Sequence, residues 1–280
     1  MFRFLAANQL VFILNICCMK LTIYQVDAFT NKLFGGNPAA VIPLDTWSLS
    51  DAVMQQIAAE NNLAETVFFV PENNGYHIRW FTPELEIDLC GHATLASAFV
   101  LYEYLGYAKN ELVFYSKSGE LIVCRDGDKL QLNFPSRMPL KVTEYPSQLL
   151  QGLGLAKALG VFKSRDYVIE VATQEDVLKV QPDIALLNQV DVIGIIVTAP
   201  GNDCDFVSRF FAPNCGIPED PVTGSAHSTL IPFWAQKLDK QKLHARQLSK
   251  RGGELWCENK AERVTMSGNC VFYMKGEIEV

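Results

Sequence analysis

The sequence lacks the features that mark membrane proteins and nucleic-acid-binding proteins. Its N-terminal segment is apolar, but the longest continuous apolar run there, Leu10–Leu14, is far shorter than the roughly 20 residues that span a bilayer. Basic residues form no cluster, and the formal net charge is −7. We therefore expect neither a membrane nor a nucleic acid as a partner.

Motifs that bind metals or nucleotides are also missing. The four histidines are scattered, and the eight cysteines form no C-x-x-C pair and no metal-like spacing with histidine. Neither a G-x-x-x-x-G-K nor a G-x-G-x-x-G motif occurs, so a nucleotide or dinucleotide cofactor is not expected. We interpret the cysteines as reduced thiols of a cytoplasmic protein.

What the sequence does contain predicts a large globular protein. The chain has 280 residues, of which 49% are hydrophobic, and this length suits two domains. We expect an N-terminal extension at residues 1–18 and domains at residues 19–135 and 136–280, with the last strand as a candidate to pack back on the first domain. A targeting role for residues 1–18 is the less favoured alternative, because no A-x-A-like cleavage site follows them.

Hydrophobic patterning predicts many short strands and a few helices. Helices are expected at Ser50–Asn61, with Ser50 as its cap, at His92–Leu105, at Ser225–Leu238 with a bend at Pro232, and as a short turn at Ala185–Gln189. Strands are expected at Leu21–Ala28, Ala40–Pro43, Thr66–Val70, Tyr76–Phe81, Glu111–Tyr115, Leu121–Arg125, Lys129–Phe134, Asp191–Thr198, Asp205–Phe211, Glu254–Trp256, Ala261–Ser267, Cys270–Lys275 and Gly276–Val280.

One pattern occurs twice in the chain. Arg79–Pro83 (RWFTP) precedes a Gly-His-Ala sequence at Gly91 and an apolar helix, and Arg209–Pro213 (RFFAP) precedes a Gly-Ser-Ala sequence at Gly224 and a second apolar helix. The second copy has three more residues between its arginine and its glycine. The shared order of strand, glycine and helix indicates an internal duplication.

The duplicated glycines predict a binding site for an anion. Glycine before a helix lets a ligand approach the backbone, and the first N–H groups of a helix have no intrahelical partner. Two such helix starts facing each other would bind a negatively charged group. We expect a carboxylate bound by backbone donors at Gly91–Ala93 and Gly224–Ala226.

Four stretches of the chain resemble a known family. GGNPAAVI (Gly35–Ile42), AENNLAETVFF (Ala59–Phe69), DLCGHATLASAFVL (Asp88–Leu101) and PEDPVTGSAHSTLIPFW (Pro218–Trp234) are similar to motifs of the PhzF-like isomerases of phenazine biosynthesis. These enzymes have the diaminopimelate-epimerase-like fold. The resemblance extends from Met19 to about Gly276.

The resemblance implies an α+β fold of two similar domains related by a pseudo-twofold axis. Each domain is expected to wrap a curved, mostly antiparallel sheet around a central helix, with the active site between the domains. It further implies a homodimer, no metal and no organic cofactor. The implied reaction is a proton shift within a small carboxylate metabolite.

The resemblance also assigns site residues. Glu65 falls on the glutamate that carries the proton, and His92, Asp220 and Ser225 fall on the supporting catalytic residues. Gly91, Ala93, Gly224 and Ala226 are the expected substrate-binding residues. On the sequence alone, a solvated carboxylate in a turn is the safer interpretation of Glu65, and Ser225 could be no more than a helix N-cap.

Two other functions are compatible with the same scaffold. Related epimerases and racemases use two facing thiols, and Cys90 occupies the first thiol position, whereas Val222 or Thr223 stands where the second would be. We therefore interpret Cys90 as a small buried residue, and an amino-acid epimerase or racemase is the alternative reading. A non-catalytic ligand-binding or interaction protein is the third.

Overall fold

The computed structural model describes residues 19–280, and the extension expected at residues 1–18 lies outside the described residues. The strands are β1 (Lys20–Ala28), β2 (Asn37–Pro43), β3 (Glu65–Glu72), β4 (Gly75–Phe81), β5 (Glu86–Ile87), β6 (Glu111–Ser116), β7 (Gly119–Asp126), β8 (Lys129–Pro135), β9 (Leu140–Lys141), β10 (Gly160–Lys163), β11 (Tyr167–Glu170), β12 (Ile195–Pro200), β13 (Phe206–Ala212), β14 (Ile217–Asp220), β15 (Lys242–Gln247), β16 (Gly253–Lys260), β17 (Arg263–Gly268) and β18 (Cys270–Glu279). The helices are α1 (Asp51–Asn61), α2 (Gly91–Glu103), α3 (Ser147–Gly152), α4 (Gln174–Lys179), α5 (Ile184–Leu187) and α6 (Gly224–Leu238).

The two halves of the chain repeat one sheet topology. In the N-terminal half (residues 19–135), β1, β2, β3, β4, β6, β7 and β8 are neighbours in that order, with parallel pairing only between β2 and β3 and between β4 and β6. In the C-terminal half (residues 136–280), β10, β11, β12, β13, β15, β16 and β17 follow the same order, with parallel pairing at the equivalent places. The α+β fold of two similar, mostly antiparallel units is therefore confirmed.

The halves are joined through their sheets at two places. Strand β8 pairs antiparallel with β17, and β1 pairs antiparallel with β18 along its whole length. The pairing of β18 returns the C-terminal end of the chain to the first strand, and the backbones of Met19 and Val280 bond to each other.

Each sheet wraps around one long buried helix, α2 or α6. Helix α2 is apolar on all sides, and eleven of its residues are buried. The two hydroxyl groups in the middle of α2 do not require water as a hydrogen-bond partner. Thr94 and Ser97 donate instead to the carbonyls of Cys90 and Ala93, one turn earlier. A helix that is apolar on all sides is stable only when the rest of the protein surrounds it. Because α2 and α6 are both buried, the starts of both helices lie inside the molecule.

Helix α6 contains Pro232 and continues through it without interruption. Proline has no N–H, so it leaves the carbonyl of Ser228, four residues earlier, without its helical donor. The backbone N–H of Arg137 bonds to that carbonyl at 2.9 Å. The segment after β8 is thereby fixed to the side of α6.

Several local expectations can be compared with the structure. Helix α1 begins as predicted, because the Ser50 hydroxyl accepts a hydrogen bond from the Val53 N–H. The strand expected at Asp191–Thr198 is wrong at its start, since β12 begins at Ile195, where pairing with β11 begins. The two strands expected after Cys270 are one continuous strand, β18. No element was predicted for β5, β9, β10, β11, β14, β15, α3 or α4.

The structure also bears on the cysteines and on membrane insertion. All six cysteines among residues 19–280 are free thiols, in agreement with their interpretation as reduced. Across the same residues, no helix combines the length and the apolar character that crossing a bilayer requires.

Candidate active site

The starts of α2 and α6 meet at two glycines. Gly91 and Gly224 are the first residues of the two helices, and a Cβ atom on either would lie 3.2 Å from the Cα of the other. Such a separation is tighter than ordinary van der Waals contact, so a side chain on either residue would push the helix starts apart. Both N-termini open into one cavity of about 480 Å³.

Six of the eight predicted site residues line this cavity: Glu65, Gly91, His92, Asp220, Gly224 and Ser225. Ala93 and Ala226 do not. Their side chains are buried in the hydrophobic core around the two helices, because each is the third residue of its helix and points away from the opening. Any contact of these two alanines with a ligand would therefore be through the backbone N–H.

Glu65 is brought to the cavity by the start of β3. It is 4% exposed, and its Oε2 lies 2.8 Å from Nε2 of His92. A buried carboxylate is costly unless a polar or charged group compensates it, and His92 is the group that faces this one. Glu65 is therefore not an ordinary solvated turn residue.

His92 is enclosed by polar partners at the start of α2. Burial of the ring disfavours its charged form, but the neighbouring Cys90 and Glu65 outweigh this and raise the pKa of His92 well above its ordinary value. Burial also raises the pKa of the Cys90 thiol to about 11. Cys90 is therefore protonated at neutral pH, and the Glu65 carboxylate is the charge that favours an imidazolium here.

Asn37 joins the two halves of the site, a role that the sequence did not reveal. Its side chain is fully buried, and Nδ2 donates to Asp220 Oδ1 at 2.7 Å and to the Val222 carbonyl at 2.9 Å. Nδ2 also lies 3.0 Å from Nδ1 of His92. The reversed amide would place its oxygen against two acceptors, so these contacts fix the orientation of Asn37. The only signal was a polar residue at the start of an apolar strand.

Asp220 lies at the end of β14 and is buried. Burial, with the nearby Glu65 charge, raises the pKa of Asp220 to about 6, although His92 and hydrogen bonds from Thr223 and Asn37 oppose the change. A carboxyl group with this pKa exchanges its proton near neutral pH.

The turn that carries Asp220 is fixed by Gln247 from β15. The Gln247 amide donates to the carbonyl of Asp220 at 2.7 Å and accepts from the backbone N–H of Thr223 at 2.9 Å. Both groups are buried, so this amide satisfies backbone atoms that water cannot reach.

Ser225 is not the N-cap of α6. The cap position is taken by Thr223, whose hydroxyl donates to Asp220 and accepts no hydrogen bond from the N–H groups of the helix. The Ser225 hydroxyl instead accepts a hydrogen bond from Nη2 of Arg165 at 2.9 Å. Arg165 also lines the cavity and was not predicted, because it lies in a short segment without a recognisable pattern.

The two N-cap positions also bear on the thiol alternative. Cys90 is the N-cap of α2 and Thr223 is the N-cap of α6, so Thr223, not Val222, is the structural equivalent of the first thiol. Val222 is fully buried in the core. The equivalent position therefore carries a hydroxyl already bonded to Asp220.

A compact group in the wall of the cavity is formed by three residues of the N-terminal half, Glu65, Cys90 and His92. They bring one possible metal ligand each to within 4.8 Å of one another, a grouping that residue spacing did not predict. A carboxylate, a thiol and an imidazole can either bind a metal ion or transfer a proton. For metal binding, the Cys90 thiol would first have to lose its proton.

Comparison with known proteins gives consistent results. The sequence profile of the family described as phenazine biosynthesis-like protein (PhzC-PhzF) matches residues 26–276. An uncharacterized isomerase of Pseudomonas aeruginosa is 49% identical over 94% of this chain and all of that protein. The crystal structure of a PhzF-family phenazine biosynthesis protein from Enterococcus faecalis has a TM-score of 0.89 and 46% identity, and covers 94% of this chain and all of that one. A predicted epimerase of P. aeruginosa, 18% identical over 92% of this chain and 99% of that one, shares the fold with a TM-score of 0.73. The chain belongs to the phenazine biosynthesis-like (PhzC-PhzF) family.

Proposed function

We propose that this protein is a cofactor-independent isomerase that moves a proton within a small carboxylate substrate. The observation that carries the proposal is the Glu65 carboxylate, which is buried at the cavity wall beside the imidazole of His92. A carboxylate in this position can accept a proton from a substrate carbon. The P. aeruginosa relative that is named an isomerase supports the same reaction class.

The helix starts would bind the substrate carboxylate. Gly91 and Gly224 line the cavity as the first residues of their helices, where N–H groups have no intrahelical partner, and the two helix dipoles favour negative charge there. Bases remove a proton from carbon more easily when the resulting charge is stabilised. The same donors would therefore both orient the substrate and lower the barrier to proton abstraction.

Glu65 would carry the proton in a balanced sequence of steps. Its carboxylate removes a proton from one substrate carbon, and the electron pair left behind shifts along the substrate π system. The protonated Glu65 then returns the proton to another carbon, so the product is an isomer of the substrate. Neither an oxidant nor a reductant is consumed.

His92 and Asp220 would set the charge of Glu65 during this cycle. Nε2 of His92 lies beside the Glu65 carboxylate and stabilises it when the imidazole is protonated. Nδ2 of Asn37 lies 3.0 Å from the other ring nitrogen of His92 and donates to Asp220, so it holds the two residues in place relative to each other. The pKa of Asp220, raised to about 6 chiefly by burial, lets Asp220 itself hold or release a proton near neutral pH.

The test is solvent exchange in D₂O. A panel of small carboxylates is first screened by thermal shift, and stabilising compounds are then incubated with the protein while mass spectrometry follows isomerisation and deuterium uptake. Glu65→Gln should retain binding but reduce turnover by about 10²–10⁴-fold, the range expected for loss of a general base.

Glu170→Gln is the matched control, because Glu170 is also buried but pairs with Lys237 and does not line the cavity. Its turnover should stay close to that of the wild type. Undiminished turnover in a folded Glu65→Gln variant would contradict the proposal.

A further inference from the structure

The cavity is also lined by two arginines that the proposed proton transfer does not use. Arg137 lies in the segment between β8 and β9, and Arg165 lies between β10 and β11. Both line the same cavity as Glu65, His92 and Ser225. Both arginines therefore border the space that a substrate would occupy.

Arg165 is held in place by its neighbours. Its Nε lies 3.1 Å from Oδ1 of Asp166 and its Nη2 lies 3.0 Å from Oδ2, so the carboxylate is bound in a two-point contact. Asp166 is fully buried, and the same Nη2 donates to Ser225 at the start of α6. The single carboxylate of Asp166 is thus already committed to Arg165.

Arg137 has no such partner. Within residues 19–280, its half-buried guanidinium makes no hydrogen bond and no ion pair, although its backbone is fixed by the bond from its N–H to Ser228. Burial and the charge of Arg165 lower the pKa of Arg137, and Asp166 only partly offsets this. A guanidinium remains charged in proteins, so Arg137 carries a positive charge that no carboxylate pairs with directly among residues 19–280.

We propose that Arg137, with Arg165 beside it, forms a subsite for a second oxyanion, so that the natural substrate carries two acidic groups. The inference rests on the proposed function for the first group, the carboxylate at the helix starts. The second group is a carboxylate or a phosphate, since a guanidinium binds either in two-point fashion. A rigid backbone and an uncompensated charge are the features of a preformed anion site.

The test compares pairs of ligands that differ by one acidic group. Isothermal titration calorimetry at low salt measures the full-length protein with straight-chain monocarboxylates and α,ω-dicarboxylates of four to eight carbons, and with 3-phosphonopropanoate. At least one dianion should bind about tenfold more tightly than the monoanion of equal length, as expected for one added charge-assisted contact. The phosphonate then distinguishes a phosphate subsite from a carboxylate subsite.

Three variants locate the effect. Arg137→Gln should reduce the dianion preference to within about twofold while leaving monoanion affinity unchanged, and Arg137→Lys should retain part of the preference. Arg125→Gln is the control, because Arg125 lies outside the cavity and pairs with Glu103, and it should keep the full preference. Circular dichroism verifies that each variant is folded.

Two results would overturn the inference. One is equal affinity for monoanions and dianions at every chain length in the wild type. The other is equal weakening of both ligand classes by Arg137→Gln, which would place Arg137 on the first carboxylate. Neither measurement depends on turnover, so a failed subsite leaves the Glu65 test intact, and a failed Glu65 test leaves the measured preference intact.

Discussion

The two halves of the molecule share a scaffold down to the ion pair before each central helix. In the N-terminal half, Arg79 makes a two-point contact with Glu86 and lies over the ring of Phe81, 5.2 Å from its centroid. In the C-terminal half, Arg209 contacts Glu219 in the same way and lies 5.0 Å from the centroid of Phe211. The duplicated Arg-aromatic-Phe-x-Pro motif therefore has a structural role, which is to fix the strand that leads to each helix start.

The chemistry at the two helix starts differs. The start of α2 carries Cys90 and His92, with Glu65 beside them, whereas the start of α6 carries Thr223 and Ser225, with Arg165 beside them. One start collects groups that accept and release protons, and the other collects hydroxyl and guanidinium donors. Under the function proposed above, the symmetric scaffold is divided into a wall for proton transfer at the start of α2 and a wall for anion binding at the start of α6.

Among these comparisons, the largest effect on turnover is expected when the histidine of each central helix is replaced in turn. His92→Gln should reduce turnover by about 10²-fold or more, because it removes the charge that stabilises Glu65. His227 in α6 is buried outside the cavity, its Nδ1 donates to the Thr223 carbonyl, and burial lowers its pKa to about 4. His227→Gln should therefore leave turnover per folded molecule nearly unchanged. Equal losses in steady-state assays of both variants would remove the distinction between the two walls.

A smaller effect is expected at Asp220, where the walls are linked. Asp220→Asn should lower turnover by roughly tenfold to a hundredfold, because Asn37 and Thr223 keep their contacts but the carboxyl can no longer exchange a proton. In the wild type we expect turnover to titrate near pH 6, and the variant should lose this titration. Retention of that titration in the variant would assign it to another group.

The same substitution should change the pH dependence of stability. The folded-state pKa of Asp220 is raised from 3.8 to about 6, so the protonated form favours the native state, and its contribution to the free energy of unfolding is lost as the pH rises between these values. The raised pKa of His92 acts in the same direction but at higher pH. Relative to the wild type, Asp220→Asn should gain on the order of 1 kcal/mol between pH 4 and pH 7. Urea unfolding at several pH values measures this gain, and Asp128→Asn, at an exposed carboxylate, is the control.

The smallest effect is expected at Cys90. Its thiol is protonated at neutral pH, because burial raises its pKa to about 11, and the equivalent position in α6 is a threonine. Cys90→Ala should change turnover by no more than a few-fold. A loss of about 10²-fold, together with loss of deuterium uptake at Cα of an amino acid, would instead support the epimerase alternative and make the thiol part of the proton-transfer wall.

Much of the fold could be predicted from the sequence, because its longest elements have clear hydrophobic patterns. Helices α2 and α6 are apolar on all sides, and α1 has a serine cap, so each was predicted close to its observed bounds. By contrast, almost none of the helices and strands from β9 to α5 could be predicted. These elements have two to six residues, too few for a period to be recognised, and they are held by tertiary pairing.

Only those site residues that lie in recognisable motifs could be predicted from the sequence. Glu65, His92 and Asp220 were found through resemblance to the PhzF-like isomerases, and the glycines also through the internal repeat. Asn37 and Arg165 were missed, because their roles arise from contacts between segments far apart in the chain. A buried amide and a half-buried guanidinium look ordinary until the fold shows what they face.

The pairing of β1 with β18 has a consequence for synthesis. The first strand of the N-terminal sheet receives its second neighbour from residues 270–279, which are the last of these strands to leave the ribosome. Until then one edge of β1 offers unpaired backbone groups, and such an edge can pair with other chains. Completion of the N-terminal sheet therefore waits for residues 270–279, and chaperone protection is most valuable during that interval.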